Sequence, residues 1–481
     1  MTMDEFPAYR GDLRYHCLEC KSVYPGDELH YTCPECSGVF LLQDHNFSEL
    51  KKTSGEDWRA VFDQRAAGKM TQMQGIFRFF ELIAPVVDKE DVVYLGEGNT
   101  PVIESSPRLQ KNVGRKMAFK NDGQNPSASF KDRGMACAFS YLNQLVKKNN
   151  WDQVLTICAS TGDTSASAAL YAAYVDGPVK SVVLLPQGKV TSQQLSQPLG
   201  SGSVVIELPG VFDDCMRVVE YLADNFRVAL LNSKNPWRIL GQESYAFEIA
   251  QWSNWDMAGR CVFVPIGNAG NITAVMNGFL KLKKLDIIDE LPRIFGVQST
   301  HADPVYRYYR QNPGDRSYAP VEVTPSVAQA AMIGNPVSFP RVRELAAKYQ
   351  QEQGEDAFNV VHVQEQQIIE SMLLANQNGH IACTQGGECL AGLIQARDQG
   401  LVGADEFSIL DATAHALKFS GFQEMYFNRS FSPGYGITPR QEYINQPQSV
   451  LSEEDKERMS KDEFTRAAVN EMVRILGLQG N

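Results

Sequence analysis

The sequence predicts an α/β chain built on mostly parallel sheet and preceded by a small four-cysteine ribbon. Two observations carry this. Strand-like apolar runs alternate with helix-like runs through most of the chain, and four cysteines fall as two Cys-x2-Cys pairs within the first 36 residues. A third sets the scale: 481 residues exceed one small domain and fit two or three folding units of roughly 100–200 residues each. With 43% hydrophobic and 21% charged residues, the composition is that of a globular protein and excludes a disordered or collagen-like chain. The 45 Lys+Arg against 57 Asp+Glu leave a formal net charge of −12. An acidic surface argues against nonspecific attachment to nucleic acid or anionic membranes, both of which need basic patches. No run of ~18 apolar residues is present, and MTMDEFPAYRGDLRY lacks the basic-then-apolar order of a signal peptide. A cytoplasmic chain with neither a membrane nor a nucleic-acid partner is expected.

The ribbon comes first in the chain. From Leu13 to about Leu42, Cys17 and Cys20 form one pair and Cys33 and Cys36 the other, with twelve residues between them. Two-residue spacing lets both thiolates of a pair face one ion. Four thiolates at ~2.3 Å complete a tetrahedral zinc site with no open position, so the zinc is structural. Chance spacing or a redox pair is the weaker explanation for four cysteines in this register. Tyr31-Thr32, ahead of the second pair, reads as a strand-like hairpin arm. Arg14 and Lys21 stand against Glu19, Asp27, Glu28 and Glu35 here, which marks the ribbon as a packing module and not a nucleic-acid reader. The other six cysteines (Cys137, Cys158, Cys215, Cys261, Cys383, Cys389) sit in apolar surroundings and read as buried small hydrophobes.

From about Phe47 to Leu95, WRAVFDQRAAG and GIFRFFELIAPVV read as helices with aromatics on one face. The strands that follow are KMAFKN, QVLTICA, SVVLLP, SVVIEL, CVFVPI, RIFGVQ and FSILDA, separated by SFKDRGMACAFSYLNQLVKK, TSASAALYAAYV, DDCMRVVEYLADNF and further helical runs. Such alternation gives a mostly parallel sheet with helices on both faces. No internal repeat or low-complexity segment interrupts it. Ser452 with Asp455 resembles a capping box opening a last helix, whose Phe464, Met472, Ile475 and Leu476 form an apolar stripe suited to docking.

Three loops carry chemistry. CVFVPI runs into Gly267-Asn268-Ala269-Gly270-Asn271 and then a helical segment. Small residues let backbone N–H groups approach an anion, and the helix adds its N-terminal dipole. A tight strand–helix turn uses the same residues. Ser160-Thr161-Gly162-Asp163-Thr164-Ser165 offers hydroxyls and N–H groups to a carboxylate, or else caps a helix several times over. In Asn125-Pro126-Ser127-Ala128-Ser129-Phe130-Lys131-Asp132-Arg133-Gly134, Lys131 falls at a helix start, where the dipole disfavours an ammonium. A poorly stabilised ammonium suits a lysine held as a Schiff base.

Together with NSKNPWRILGQ, IGNPVSFPR and LGEGNTP at Leu95–Pro101, these loops make the chain, from about Leu95 to Leu417, resemble the threonine synthases. These are pyridoxal-phosphate enzymes of the tryptophan-synthase-β-like fold, some of whose relatives carry N-terminal zinc ribbons. The resemblance implies two open, twisted, mostly parallel-sheet domains with the cofactor between them. Residues 1–45 would form the zinc ribbon, 46–131 and 245–440 the large cofactor-binding domain, 132–244 the smaller domain and 441–481 a C-terminal helical extension. It implies that Lys131 carries pyridoxal 5'-phosphate as a Schiff base and later moves protons. Gly267, Asn268, Ala269, Gly270 and Asn271 would hold the cofactor phosphate. Asp163 would lie beside the 3-oxygen, where many relatives have Asn, and Thr413 would face the pyridine nitrogen. Ser160, Thr161 and Thr164 would receive the substrate carboxylate, and Asn232, Ser233 and Arg238 the substrate phosphate. The implied reaction is conversion of O-phospho-L-homoserine and water to L-threonine and phosphate, in a homodimer.

The chain departs from the family pattern in three places. Thr413-Ala414-His415-Ala416-Leu417-Lys418 replaces T-G-x-G-L-K, Cys383-Thr384-Gln385-Gly386-Gly387-Glu388 replaces an acidic E-P-x-S-A stretch, and Ala128 stands for Gly. His415 reads as structural. Arg238 with Asn232 and Ser233 favours a phosphorylated substrate over the serine or threonine of a dehydratase, and leaves a phosphoserine-using synthase as the alternative. Retention of Lys131 and the acidic ribbon tell against a nucleic-acid-binding protein with a dead enzyme domain.

Overall fold

The structure, a computed structural model, describes residues 6–7, 9–160, 162–175, 177–187, 192–210 and 212–479. The ribbon is a three-stranded antiparallel sheet of β1 (Leu13–Cys17), β2 (Val23–Pro25) and β3 (Phe40–Asp44), in the order β2-β1-β3. Tyr31-Thr32 is a bend and not a strand arm. Partnering of β1 comes instead from β3, which lies beyond the second cysteine pair, so the thiols close the sheet from its end.

The chain then lays down β4 (Val102–Glu104) and β5 (Lys116–Asn121), leaves to build β6 (Val154–Ala159), β7 (Val179–Pro186), β8 (Val204–Leu208) and β9 (Val228–Leu230), and returns with β10 (Arg260–Pro265), β11 (Arg293–Ser299), β12 (Phe358–Val363) and β13 (Phe407–Ala412). The larger sheet runs β12-β11-β10-β13-β5-β4 and is parallel except for its edge strand β4. The smaller sheet, β8-β7-β6-β9, is wholly parallel. RCVFVP, RIFGVQS and FSILDA are apolar at consecutive positions because both faces of the larger sheet are covered, as parallel sheets require. All seven strand runs read from the sequence are strands. Three further strands of the two parallel sheets were not among them: the short edge strand β4, the polar-interrupted β12 and the three-residue β9.

Helices follow the sequence reading at Lys131–Lys148, Asp163–Tyr174, Phe212–Asn225 and Gly270–Lys284. The first carries Asp132 in its first turn and Lys147 and Lys148 in its last, both matched to the macrodipole. GIFRFFELIAPVV is not an amphipathic helix. It is a 3-10 turn, Ile76–Phe79, running into the four-residue helix Phe80–Ile83. Ile76, Phe77, Phe79 and Phe80 are all fully buried, so no face is left for solvent. Near the C-terminus, Ser452 and Asp455 do form a capping box, but it opens the short helix Glu453–Arg458. The last helix, Lys461–Leu476, has its own box from Ser460 and Glu463. Its Met472, Ile475 and Leu476 remain exposed. Among the described residues no helix is long and apolar enough to cross a membrane.

The ribbon's Leu13, Tyr15 and Phe40 belong to the same buried cluster as Trp237, Phe247 and Ile272 of the body of the molecule. Tyr141, from the helix Lys131–Lys148, stacks on Trp237 with ring centroids 3.6 Å apart and donates through its hydroxyl to the carbonyls of Gly26 and Glu28. The Trp237 indole N–H donates to the Tyr15 hydroxyl at 3.0 Å, which itself donates to Glu28 O.

Candidate active site

Five segments of interest begin at the carboxyl ends of parallel strands: residues 122–131 after β5, 160–164 after β6, 231–238 after β9, 266–271 after β10 and 413–418 after β13. That end of an open α/β sheet is where ligands bind. One cavity there is lined by Phe130, Lys131, Asp163, Gln242, Gly267 to Asn271, Ala330, Ala331, Gln385 and Thr413, with Pro265 at its base. It therefore brings together every sequence-predicted cofactor residue. Ser160, Thr164, Asn232, Ser233 and Arg238 do not line it, and Thr161 lies outside the described residues. A larger groove lies between the ribbon and the helix Lys131–Lys148. In it Arg14 is paired with Asp12 and Lys148 with Asp27, and no cofactor candidate lines it.

Lys131 is the first residue of its helix, with its ammonium nitrogen 4.1 Å from the Phe130 ring centroid. Burial, then repulsion from the Arg238 guanidinium, bring its pKa down from 10.5 to about 7. A substantial share of the amine is thus free near neutrality, as Schiff-base chemistry needs. Around it the loop is fixed by Asp132, whose carboxylate accepts from Ser127 N, Ser127 Oγ and Ser167 Oγ. Ala128 sits at φ 63°, the left-handed region where glycine is the easier residue. The backbone holds it there through Ala128 N to Asn125 O and His415 N to Ala128 O.

The loop 267–271 forms a cradle. Ala269 is left-handed at φ 63°, and the helix Gly270–Lys284 starts immediately after it. A Cβ on Gly267 would come within 2.9 Å of Ala331 Cα and 3.0 Å of Ala330 O, so only glycine fits there. The Asn271 amide donates to Asp411 at 2.7 Å, leaving its Oδ1 without a partner. At the opposite wall, Thr413 is buried beside Cys383, with Sγ and Oγ1 3.7 Å apart. Asp163 is not an isolated charge. Lys418 pairs with it at 2.8 Å and also donates to Ser127 O, which offsets the negative charge that Asp in place of Asn brings. His415 caps a turn, its Nδ1 accepting from Leu417 N, as a structural residue does.

Gln385 and Gln242 escaped the sequence reading, as did Ala330 and Ala331. Gln385 is buried with both amide atoms unpaired, at the start of the helix Thr384–Asp398. Its only sequence signal was its place in the CTQGGE stretch that departs from the family pattern. These residues fit pyridoxal phosphate: a neutral cradle at a helix N-terminus, a buried lysine of lowered pKa, and orphaned amide groups facing the same cavity.

Beside this cavity, Arg238 is buried and donates Nη1 to Leu231 O at 3.1 Å. Its Nε has no partner and no carboxylate pairs with it among the described residues. Burial lowers its pKa to about 10. Asn232 Oδ1 accepts from Lys234 N at 2.8 Å, and the Asn235 side chain caps the helix Pro236–Gln242 through Trp237 N, so the segment is held in a fixed turn.

In the ribbon, the sulfurs of Cys17, Cys20, Cys33 and Cys36 all lie within 4.8 Å of one another, the donor set of a tetrahedral thiolate site. The two knuckles are built alike. Cys17 N donates to Ser22 O and Cys33 N to Gly38 O, with Lys21 and Ser37 both left-handed. The remaining six cysteines are all buried.

Residues 93–410 match the model of a family described as pyridoxal-phosphate dependent enzyme, and this sets the class. The chain is 36% identical over 405 residues to a threonine synthase of Methanocaldococcus jannaschii, covering 84% of this chain and 92% of that one. It is 33% identical over 414 residues to the chloroplastic threonine synthase 2 of Arabidopsis thaliana, covering 85% and 77% respectively. The solved structure of threonine synthase from Escherichia coli superposes with a TM-score of 0.60 at 19% identity, over 94% of both chains, and shows the shared fold. The chain belongs to the threonine synthase family of pyridoxal-phosphate dependent enzymes.

Proposed function

We propose that the chain converts O-phospho-L-homoserine and water to L-threonine and phosphate. The observation that carries this is a second, charged anion position beside the first. The neutral cradle at 267–271 suits the cofactor phosphate, while Arg238, buried with no carboxylate paired to it among the described residues, is left for a phosphate that the substrate brings. A simple dehydratase substrate has no phosphate to place there.

Pyridoxal phosphate, when bound, supplies an electron sink for the carbanion that proton removal leaves. Lys131 holds the cofactor, yields to the substrate amine, and as a free amine takes the proton from Cα and then one from Cβ. Phosphate leaves Cγ toward Arg238, Asn232 and Ser233. A proton is restored at Cγ, the hydroxyl of water adds at Cβ, and Lys131 returns a proton to Cα. Thr413 would offer a neutral hydroxyl to the pyridine nitrogen, and Asp163, paired with Lys418, would stand at the 3-oxygen. Ser160, Thr161 and Thr164 take the substrate carboxylate. Cys17, Cys20, Cys33 and Cys36 hold one structural zinc ion, a reading supported by their convergence. The domain division at 45, 131, 244 and 440 is supported by the strand order, in which the smaller sheet is an excursion between β5 and β10.

The test is phosphate release with product identification, run on phosphohomoserine and phosphoserine side by side, with Lys131→Ala as control. Threonine from phosphohomoserine, abolished in the control, is the expected result. Turnover of phosphoserine alone would replace this reading with that of a phosphoserine-using synthase.

A further inference from the structure

Resting on the reading above, we propose that Arg341, together with Tyr15, is a positioning device: it clamps the phosphate-receiving segment 231–238 to the ribbon and to the cofactor cradle. Arg341 lies in the helix Phe339–Gln353, fully buried, and among the described residues no carboxylate is hydrogen-bonded to it. Its guanidinium spends its donors on three separate parts of the molecule. Nε donates to the carbonyl of Phe40 in ribbon strand β3 at 2.7 Å. Nη1 donates to Ser233 O and Nη2 to Lys234 O, both at 2.9 Å, inside the segment that carries Asn232, Ser233 and Arg238. Nη1 also donates to Ser338 Oγ at 2.9 Å, and the backbone N–H of Ser338 donates to Asn268 O in the cradle.

One planar cation thus fixes the distance between the two anion positions and ties both to the ribbon. The second tie is the Trp237 indole, adjacent in sequence to Arg238, which donates to Tyr15 Oη and is stacked on Tyr141. Carbonyls are weak counterions for a buried guanidinium, so this arrangement gains its stability from geometry, in which four of the five N–H donors of a rigid fork meet acceptors on different segments. A lysine keeps the charge but cannot reach all of these acceptors at once. Arg341 does not line the cofactor cavity, and its effect passes through the segment it holds.

The experiment uses the full-length holoenzyme and Arg341→Lys. Binding of inorganic phosphate is measured by calorimetry, where the cofactor already fills the cradle, and threonine formation gives KM and kcat separately. KM for phosphohomoserine is expected to rise about tenfold and phosphate affinity to fall by the same factor, with kcat within about threefold and cofactor absorbance kept. Removal of the ribbon metal from the wild type by a chelator is expected to weaken phosphate binding in the same direction. A folded Arg341→Lys with unchanged KM and phosphate affinity overturns the proposal, as does loss of kcat or cofactor with KM intact. Should Arg341→Lys fail to fold, Tyr15→Phe, which removes the Trp237 acceptor and keeps the ring, carries the same expectation and the same overturning result. If the wild type makes no threonine, the functional reading fails, while the phosphate titration still reports on the clamp.

Discussion

Arg133 and Arg238 are both buried, on two helices that cross almost in contact, yet they live in opposite electrostatic settings. The crossing is made by glycines: a Cβ on Gly134 would meet Arg238 O at 2.8 Å, and one on Gly241 would meet Arg133 O at 2.1 Å. Arg133 is gripped by two carboxylates, with Asp122 bonded to Nε and Nη2 and Glu248 to Nη1 and Nη2, all at 2.7–2.9 Å. Lys120 joins at 2.6 Å from Glu248, and Arg78 at 3.3 Å. Arg238 has one carbonyl and a free Nε. Glu248 and Asp122 hold the Arg133 pKa well above its usual value, whereas burial takes Arg238 the other way. The lesson is that a buried cation ringed by acceptors of the fold is structural, while Arg238, with an unpartnered Nε and no carboxylate beside it among the described residues, is open to an anion from outside.

That contrast can be broken most severely at Glu248. Glu248→Ala leaves Arg133, Lys120 and Arg78 buried around a single remaining carboxylate, and should cost about 3–5 kcal/mol, the range for removing one partner of a buried pair. The midpoint of denaturant unfolding checks this; a shift under about 1 kcal/mol would mean that the network is not what holds this region. Arg238→Ala should go differently. It removes an uncompensated charge, so stability should hold while kcat/KM for phosphohomoserine falls about one to two orders of magnitude, the equivalent of roughly 1.5–3 kcal/mol for a lost charge-assisted bond. Cofactor absorbance should survive, and its loss would show that Arg238 serves the cradle instead.

The smallest effect sharpens the comparison at Lys131, which feels Arg238 directly. An ammonium cannot attack, so cofactor loading into the apoprotein should rise with pH through a midpoint near 7, where burial and Arg238 place the lysine. Removing Arg238 takes away repulsion that favours the neutral amine, so in Arg238→Ala the midpoint should move upward. It should not reach 10.5, because burial, the larger cause, remains. An unmoved midpoint in stopped-flow loading would separate the two groups electrostatically.

Much of this was legible in the chain. The apolar runs that became β5, β6, β10, β11, β13 and the second half of β7 are consecutive because those strands are buried, and burial of that kind leaves a mark on local sequence; β8 kept an apolar run although it is largely exposed. The loops carrying Lys131, Asp163 and the 267–271 cradle were legible because small residues and hydroxyls at strand ends are local features, whereas Thr413 was marked only by the resemblance to the family. GIFRFFELIAPVV misled because its aromatics, spaced as on one face of a helix, are buried on every side of a short irregular segment. Gln385 was hidden because an amide at a helix start says nothing about the cavity it faces.

The sequence by itself determined which residues could do chemistry and where along the chain they stand. It could not determine which buried arginine is paired inside the fold and which is left without a carboxylate, because that depends on partners brought from afar: Arg133 meets Glu248 across 115 positions, and Arg341 meets Phe40 across 301. Coulomb energy depends on distance in space and on the water excluded between the charges, and both are set only when the two sheets and the ribbon have packed.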